Sequence, residues 1–300
     1  MGNEPVAVVG ANGFIGRNLV RALHADGRRV IAVDKGWDDD DALVAQVCAS
    51  DTIYWCAGSI NPALAEKNPL LVQLDIDMFT WMLDQLDASG SRARLVNFSS
   101  GGTIYGNGEP PFDEARPRVP ISAYGKAKVE MERLLAGRPG RGVSVRIANP
   151  YGPGQYPAPG QGVISHWLFS LAGGTPIEVL GGLDAKRDYI YIDDLTAALV
   201  ALGRVPEVPL ALNLGSGRGT PLGEVLAAVE AACHAANPQI ITKGARNFDV
   251  RDTHLDITVA KALLGWAPRV QLEDGIASTW QWVQKHAHGS SGQAGKEEAQ

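Results

Sequence analysis

Tyr124 and Lys128 stand four positions apart in ISAYGKAKVEMERLL, a helix-like segment, and so share one face. A free phenol, with a pKa near ~10, is a poor base at neutral pH. An ammonium held ~4 Å away at an effective dielectric of ~20 favours the phenolate by roughly 4 kcal/mol, about three pK units. The spacing therefore predicts Tyr124 as a general base activated by Lys128. Taken alone, the same pair would also describe a surface contact on any helix. A second segment, LVNFSSGGTIYG at 95–106, is an apolar run that delivers Ser99 and Ser100, two glycines, then Thr103 and Tyr105. It reads either as a shelf of hydroxyl groups or as a tight turn.

VAVVGANGFIG places Gly10, Gly13 and Gly16 between a strand and a helix. That order suits a pyrophosphate: one glycine for the sharp turn, one for close approach of backbone N–H groups, one for tight packing of helix on strand. Asp34 follows Gly16 by 18 residues and ends the second strand. A carboxylate there accepts from ribose hydroxyls and repels a 2′-phosphate, so NAD is expected over NADP, with Lys35 beside it softening the preference. The acids Asp38 to Asp41 are expected at a helix N-terminus rather than on a metal. His286 and His288 belong to a polar tail, and no metal is expected.

These residues need a scaffold, and the pattern of the chain supplies one. Apolar runs at Val6 to Val9, Arg29 to Val33, Thr52 to Cys56, Leu95 to Phe98 and Val143 to Ile147 alternate with helical patterns. The helices are expected from Phe14, at Ala42 to Val47, at Pro69 to Ala88 and from Ser122. Alternation of this kind predicts an α/β fold, a Rossmann-type doubly wound parallel sheet with helices on both faces. The Pro- and Gly-rich NPYGPGQYPAPGQG then leaves the sheet. We expect an NAD-binding domain at 1–150 with a return near 187–204, a smaller α/β substrate region at 151–286, and a disordered tail at 287–300. Helices are expected in the second region at Val163 to Ala172, Leu222 to Ala235, Thr258 to Leu264 and Leu272 to Val283.

The chain has 300 residues, 45% of them hydrophobic, and a net charge of -6. Its acidic balance and lack of an Arg-rich stripe argue against nucleic acid, leaving a small-molecule partner. Cys48, Cys56 and Cys233 form neither a CxxC pair nor an even framework, which points to a reducing compartment, the cytoplasm. No long apolar run predicts a membrane span, and the N-terminal residues do not resemble a secretion signal. Position 6 is Val6, which argues against myristoylation at Gly2.

Taken together, several segments resemble the extended short-chain dehydrogenases/reductases, in their nucleotide-sugar epimerase and dehydratase group. They are GANGFIG at Gly10, SSGGTIYG at Ser99, YGKAK at Tyr124, RIANPYGPGQ at Arg146, RDYIYIDDL at Arg187, NLGSG at Asn213 and RNFDVRDTHLDITVAKALLGWAPRV at Arg246. The likeness runs over nearly the whole chain.

The resemblance implies an NAD cofactor, a nucleotide-sugar substrate and a homodimer. It implies that Tyr124 takes the proton from the C4 hydroxyl while Lys128 supports it and holds the nicotinamide ribose. It adds Phe14, Ile15, Cys56, Ala57, Gly58 and Ser59 to the cofactor site, and Asn149, Arg187 and Arg246 to the diphosphate site. Arginine suits a diphosphate because its charge is permanent and its donors form a fork.

Two departures stand out. Only 21 residues, 35–55, separate Asp34 from the CAG turn, where the family has many more; a simplified adenine site is expected. The family's Ser or Thr sits four residues before the YG tyrosine, and that count lands on Gly101. The substitute hydroxyl is expected from Thr103 or Ser100, with Thr103 preferred because side chains two apart on an extended segment share a face. The acid pair of dehydratases is replaced by Gly102 and Thr103. C4 epimerisation of a UDP- or dTDP-hexose is the expected reaction, with a 4-ketoreductase using NAD(P)H as the alternative and a non-catalytic dinucleotide sensor as a third reading.

Overall fold

The structure is a computed structural model that describes residues 5–235, 238–244, 250 and 252–287. Its first half runs β1 (Val6–Val9), α1 (Phe14–Ala25), β2 (Val30–Val33), α2 (Asp41–Cys48), β3 (Thr52–Trp55), α3 (Pro62–Lys67), α4 (Pro69–Ala88), β4 (Arg94–Ser100), α5 (Ala123–Ala136) and β5 (Gly142–Ile147). The second half adds β6 (Asn149–Tyr151), α6 (Val163–Ala172), β7 (Ile177–Leu180), β8 (Lys186–Arg187), β9 (Tyr189–Tyr191), α7 (Ile192–Leu202), β10 (Ala211–Leu214), β11 (Thr220–Pro221), α8 (Leu222–Cys233), β12 (Ile240–Lys243), α9 (Thr258–Leu264) and α10 (Leu272–His286).

The central sheet is six-stranded, in the order β10-β5-β4-β3-β1-β2, and every pairing in it is parallel. This is the Rossmann-type α/β architecture that the alternation of runs predicts. Strands covered on both faces must be apolar at successive positions, and the core divides accordingly. Val6, Val8, Tyr54 and Val96 pack on one face with Leu19 and Leu23 of α1 and Leu195 and Leu199 of α7. Ala7, Val9, Ile53, Trp55 and Leu95 pack on the other with Val44 of α2, Phe79 and Leu83 of α4 and Met131 of α5. The chain winds outward from β1 to β2, then returns to place β3 on the opposite side of β1. Such a switch point opens a crevice beyond the carboxyl ends of the strands.

Local chemistry sets the element starts. The Asp40 side chain caps α2, its Oδ1 accepting from the N–H groups of Ala42 (3.0 Å) and Leu43 (3.1 Å). α3, unforeseen in the sequence, begins where Asn61 Oδ1 accepts from Ala63 (3.0 Å) and Leu64 (2.9 Å), with Pro62 in the first turn. Six residues are too few to leave an apolar period. Beyond β5 the described residues form three two-stranded sheets, β6-β9, β7-β12 and β8-β11, while β10 rejoins the main sheet against β5. His288 and the rest of the tail from 288 on lie outside the described residues, and His286 stacks on Trp282 at 4.6 Å.

Candidate active site

The turn after β1 is built by backbone proximity. Gly10 has φ +85°, and a Cβ there would lie 2.7 Å from the Ala57 nitrogen. A Cβ at Gly16 would lie 2.1 Å from the Gly10 carbonyl oxygen, which is why the start of α1 can fold back onto the turn. Gly13 caps α1 without a side-chain acceptor. The first N–H groups of the helix are thus left for an anion, where the helix dipole also favours one. At the end of β2 the Asp34 carboxylate accepts from the Asn12 N–H (2.7 Å) and the Lys35 N–H (2.9 Å), so it also ties down this turn.

A cavity of 1150 Å³ opens beyond β1, β3, β4 and β5. Gly13, Phe14, Ile15 and Gly16 form one wall with Cys56, Ala57 and Gly58; Ser100, Gly102 and Thr103 line it with Tyr124 and Lys128; Asn149 and Arg187 line it from the second half of the chain. Gly10, Asp34, Lys35 and Ser59 are not among the residues that line it. Arg246 lies outside the described residues. A smaller hollow of 580 Å³, lined by Ala201, Arg204 and Leu263 among others, sits apart from all of these side chains. Among the described residues no three His, Cys, Asp or Glu side chains gather as a metal site.

Tyr124 is delivered by the first turn of α5. Ser122 caps this helix, its Oγ accepting from the Gly125 N–H at 3.0 Å. Gly125 allows the helix start to rest on the preceding loop, since a Cβ there would lie 2.7 Å from the Thr103 carbonyl oxygen. Lys128 follows one turn later, 6% exposed, with its Nζ 5.6 Å from the centroid of the Tyr124 ring.

The electrostatics reverse one expectation. Lys128 does not lower the tyrosine's pKa here: the Tyr124 phenol is pushed up to about 12, first by burial and then by the Asp75 carboxylate. Lys128 is itself pushed down, burial outweighing the favourable charge of the Asp75 carboxylate. The physical reason is desolvation, which disfavours both charged forms at once. The Cys56 thiol on the same wall is pushed up by burial and is no nucleophile in this state.

The two glycines of the shelf are required for different reasons. Gly101 does not open onto the cavity; a Cβ there would lie 2.6 Å from Leu255 Cδ1, so a core leucine, rather than a ligand, requires glycine at that position. Gly102 is the one on the wall. Nor is the segment extended through Thr103: β4 ends at Ser100, and the N–H groups of Thr103 (3.5 Å) and Ile104 (3.3 Å) turn back to the Ser100 carbonyl. The alternation that favoured Thr103 does not operate, although Thr103 and Ser100 both reach the cavity. The Thr103 Oγ1 is buried without a partner.

Beneath the shelf lies an ion pair that sequence reading left unassigned. Arg146 and Glu132, 4% and 2% exposed at their side chains, meet at 2.8 Å. Ser99 Oγ donates to Glu132 at 2.5 Å, and Arg146 donates to the Tyr105 hydroxyl at 2.9 Å. Tyr105 in turn donates to Asn213 at 2.8 Å, so the tyrosine of the YG motif is an anchor between β4, β5 and β10. On the opposite wall Asn149 Nδ2 donates to the Asp188 carbonyl at 2.8 Å, a contact made where β6 and β9 pair in register.

Comparison with known proteins agrees with this geometry. The sequence profile described as NAD dependent epimerase/dehydratase family matches residues 6–215. The chain is 36% identical to dTDP-4-dehydro-6-deoxyglucose reductase of Escherichia coli over 61% of its own length and 59% of that protein. The match therefore spans about three fifths of that relative. It is 31% identical to a putative UDP-glucose 4-epimerase of Methanocaldococcus jannaschii, over 94% of this chain and 99% of the other. The crystal structure of the Thermus thermophilus UDP-glucose 4-epimerase complexed with NAD superposes with a TM-score of 0.82 at 26% identity, covering 95% and 99% of the two chains. The glycine turn, the uncapped α1 N-terminus and the long cavity fit a dinucleotide, and with the profile match they place the chain in the NAD-dependent epimerase/dehydratase family, an enzyme group that uses NAD.

Proposed function

We propose that the protein is a nucleotide-sugar 4-epimerase. The observation that carries this reading is a single cavity bordered at once by the glycine turn, by Tyr124 and Lys128, and by Asn149 and Arg187. NAD, when bound, would supply the acceptor and the donor for the C4 hydride. Tyr124 takes the proton from the C4 hydroxyl and gives it back; Lys128, one turn away, balances the phenolate as it forms. Ser100 or Thr103 donates to the C4 oxygen, and Asn149 and Arg187 hold the diphosphate. Gly10, Gly13, Phe14, Ile15, Gly16, Cys56, Ala57, Gly58 and Ser59 shape the dinucleotide side, with Asp34 and Lys35 at its adenine-ribose end.

The shelf offers Gly102 and Thr103 where a dehydratase would need an acid pair. A 4-ketoreductase is the second reading, favoured by the 36% match to dTDP-4-dehydro-6-deoxyglucose reductase over 61% of this chain. The two readings separate in one assay. With NAD and no reductant, an epimerase interconverts C4 epimers of a UDP- or dTDP-hexose. A reductase instead consumes added NADH in step with a 4-keto sugar.

We also propose a homodimer, supported by Leu70 and Leu74, which stand 77% and 60% exposed on α4. Light scattering on the purified chain checks this, with twice the monomer mass expected.

A further inference from the structure

Among the described residues five tyrosines are buried: Tyr54, Tyr105, Tyr151, Tyr189 and Tyr191. Four of their hydroxyls have partners, at the carbonyl oxygens of Leu199 (3.0 Å) and Leu272 (3.4 Å) and the side chains of Asn213 (2.8 Å) and Ser278 (3.0 Å). The hydroxyl of Tyr189 has none among the described residues, although the residue is only 7% exposed. Tyr189 lines the cavity. A buried hydroxyl left unpaired is costly, so its place on that wall calls for a partner that arrives with a ligand.

Along Arg187, Asp188 and Tyr189 the side chains alternate, as they do on extended backbone. Asp188 turns one way, accepting from the Ser216 N–H at 2.7 Å, the Ser216 Oγ at 2.6 Å and the Leu255 N–H at 3.1 Å. Arg187 and Tyr189 turn the other way, and both line the cavity. Tyr189 also pairs in register with Asn149 across β6 and β9, so it stands beside both residues of the proposed diphosphate site. Tyr151 meets its ring in a T-shape, centroids 6.5 Å apart and planes at 85°, which fixes the phenol before any ligand arrives.

We propose that the Tyr189 hydroxyl donates to a diphosphate oxygen of the bound nucleotide sugar, as a third contact beside Asn149 and Arg187. The inference deepens the reading above and rests on its assignment of those two residues. The surroundings select an anionic acceptor. The Arg187 guanidinium, two positions away, carries a permanent charge that favours one. Burial pushes the Tyr189 phenol up, with the Arg187 charge opposing, so the group keeps its proton and meets a ligand as a donor. Gln155 Oε1 is also unpartnered on the wall, but an amide oxygen only accepts and cannot answer a phosphate.

Tyr189→Phe removes the hydroxyl and keeps the ring. Calorimetry on the full chain saturated with NAD uses UDP and dTDP as probes, and NAD affinity is measured separately. Whichever of the two nucleotides the wild-type chain binds, the variant is expected to bind it about ten- to a hundredfold more weakly, the span of one hydrogen bond to a charged group. Its affinity for NAD is expected to stay within about threefold of wild type. Replacing Tyr189 by 4-aminophenylalanine restores an N–H donor at the same place and is expected to regain most of the lost affinity.

The melting temperature of the free protein separates this role from a structural one. A hydroxyl with no partner in the protein has no bond to lose, so Tyr189→Phe is expected to leave the melting temperature unchanged or to raise it by a few degrees. A fall of several degrees means that the hydroxyl serves the fold, and overturns the proposal. Wild-type affinity for UDP and dTDP in Tyr189→Phe overturns it as well. Arg187→Ala tells that failure from failure of the underlying reading: if it weakens the same nucleotides while Tyr189→Phe does not, the diphosphate site stands and the inference alone falls. A wild-type chain that binds neither nucleotide defeats both. No turnover is needed for any of these measurements, so they stand apart from the outcome of the sugar assay.

Discussion

With its phenol pushed up to about 12, first by burial, Tyr124 is held in its protonated form at pH 7 in the free protein. The base is held in reserve by burial, and catalysis must lower that barrier within the loaded site. Tyr124→Phe is expected to lose about 10²–10⁴-fold in turnover, the usual span for a general acid–base group, while binding NAD as tightly as wild type by calorimetry. Wild-type rates in that variant would remove Tyr124 from the mechanism. Ser100→Ala and Thr103→Ala distinguish the two hydroxyls: the one that donates to the C4 oxygen loses about tenfold or more in kcat. Retention of full activity in both would leave the tyrosine without a protein hydroxyl partner. Gly101→Ser does not supply a hydroxyl to the site. Its Cβ meets Leu255, so it should destabilise the fold by about 1–3 kcal/mol in urea unfolding. Combined with Leu255→Ala, it should cost less than the sum of the two single changes.

Elements of regular period were legible in the sequence. β1 and α1 run over the residues that the glycine turn and apolar run predicted, and α5 begins where Ser122 offers a cap. Residues that follow a strand end or a cap could be placed on the cavity wall from the sequence, Tyr124 and Lys128 among them. What escaped was set by contacts distant in sequence. Leu255 decides the meaning of Gly101, 154 positions away, and Asp75 meets the Ser59 N–H only because α4 folds back over the turn. The sign of the Tyr124 shift escaped for the same reason, since desolvation depends on everything packed around the helix. The Arg146–Glu132 pair ties β5 to α5 beneath the shelf. Glu132→Gln leaves Arg146 buried and unpaired, and should cost about 3–5 kcal/mol of stability by urea titration. A loss under about 1 kcal/mol would mean that water compensates the arginine.

At the scale of the whole chain, the parallel sheet places the cofactor turn and the tyrosine helix at the carboxyl ends of β1 and β4. The segments beyond β5 bring Asn149 and Arg187 across from them. Binding at such a site stabilises the folded state by mass action. NAD at about 100 times its dissociation constant should add about 2.7 kcal/mol and raise the melting temperature by a few degrees. An unchanged melting temperature at saturating NAD would contradict the assignment of the glycine turn. The central claim is that this one cavity carries out reversible oxidation at C4 with no external reductant. Its most direct test is to incubate the purified chain with NAD and a panel of UDP- and dTDP-hexoses, and to follow the sugars by NMR and mass spectrometry. The account predicts that one C4 pair interconverts to equilibrium with no net change in NADH. Stoichiometric consumption of NADH by a 4-keto sugar, with no exchange between epimers, would contradict it.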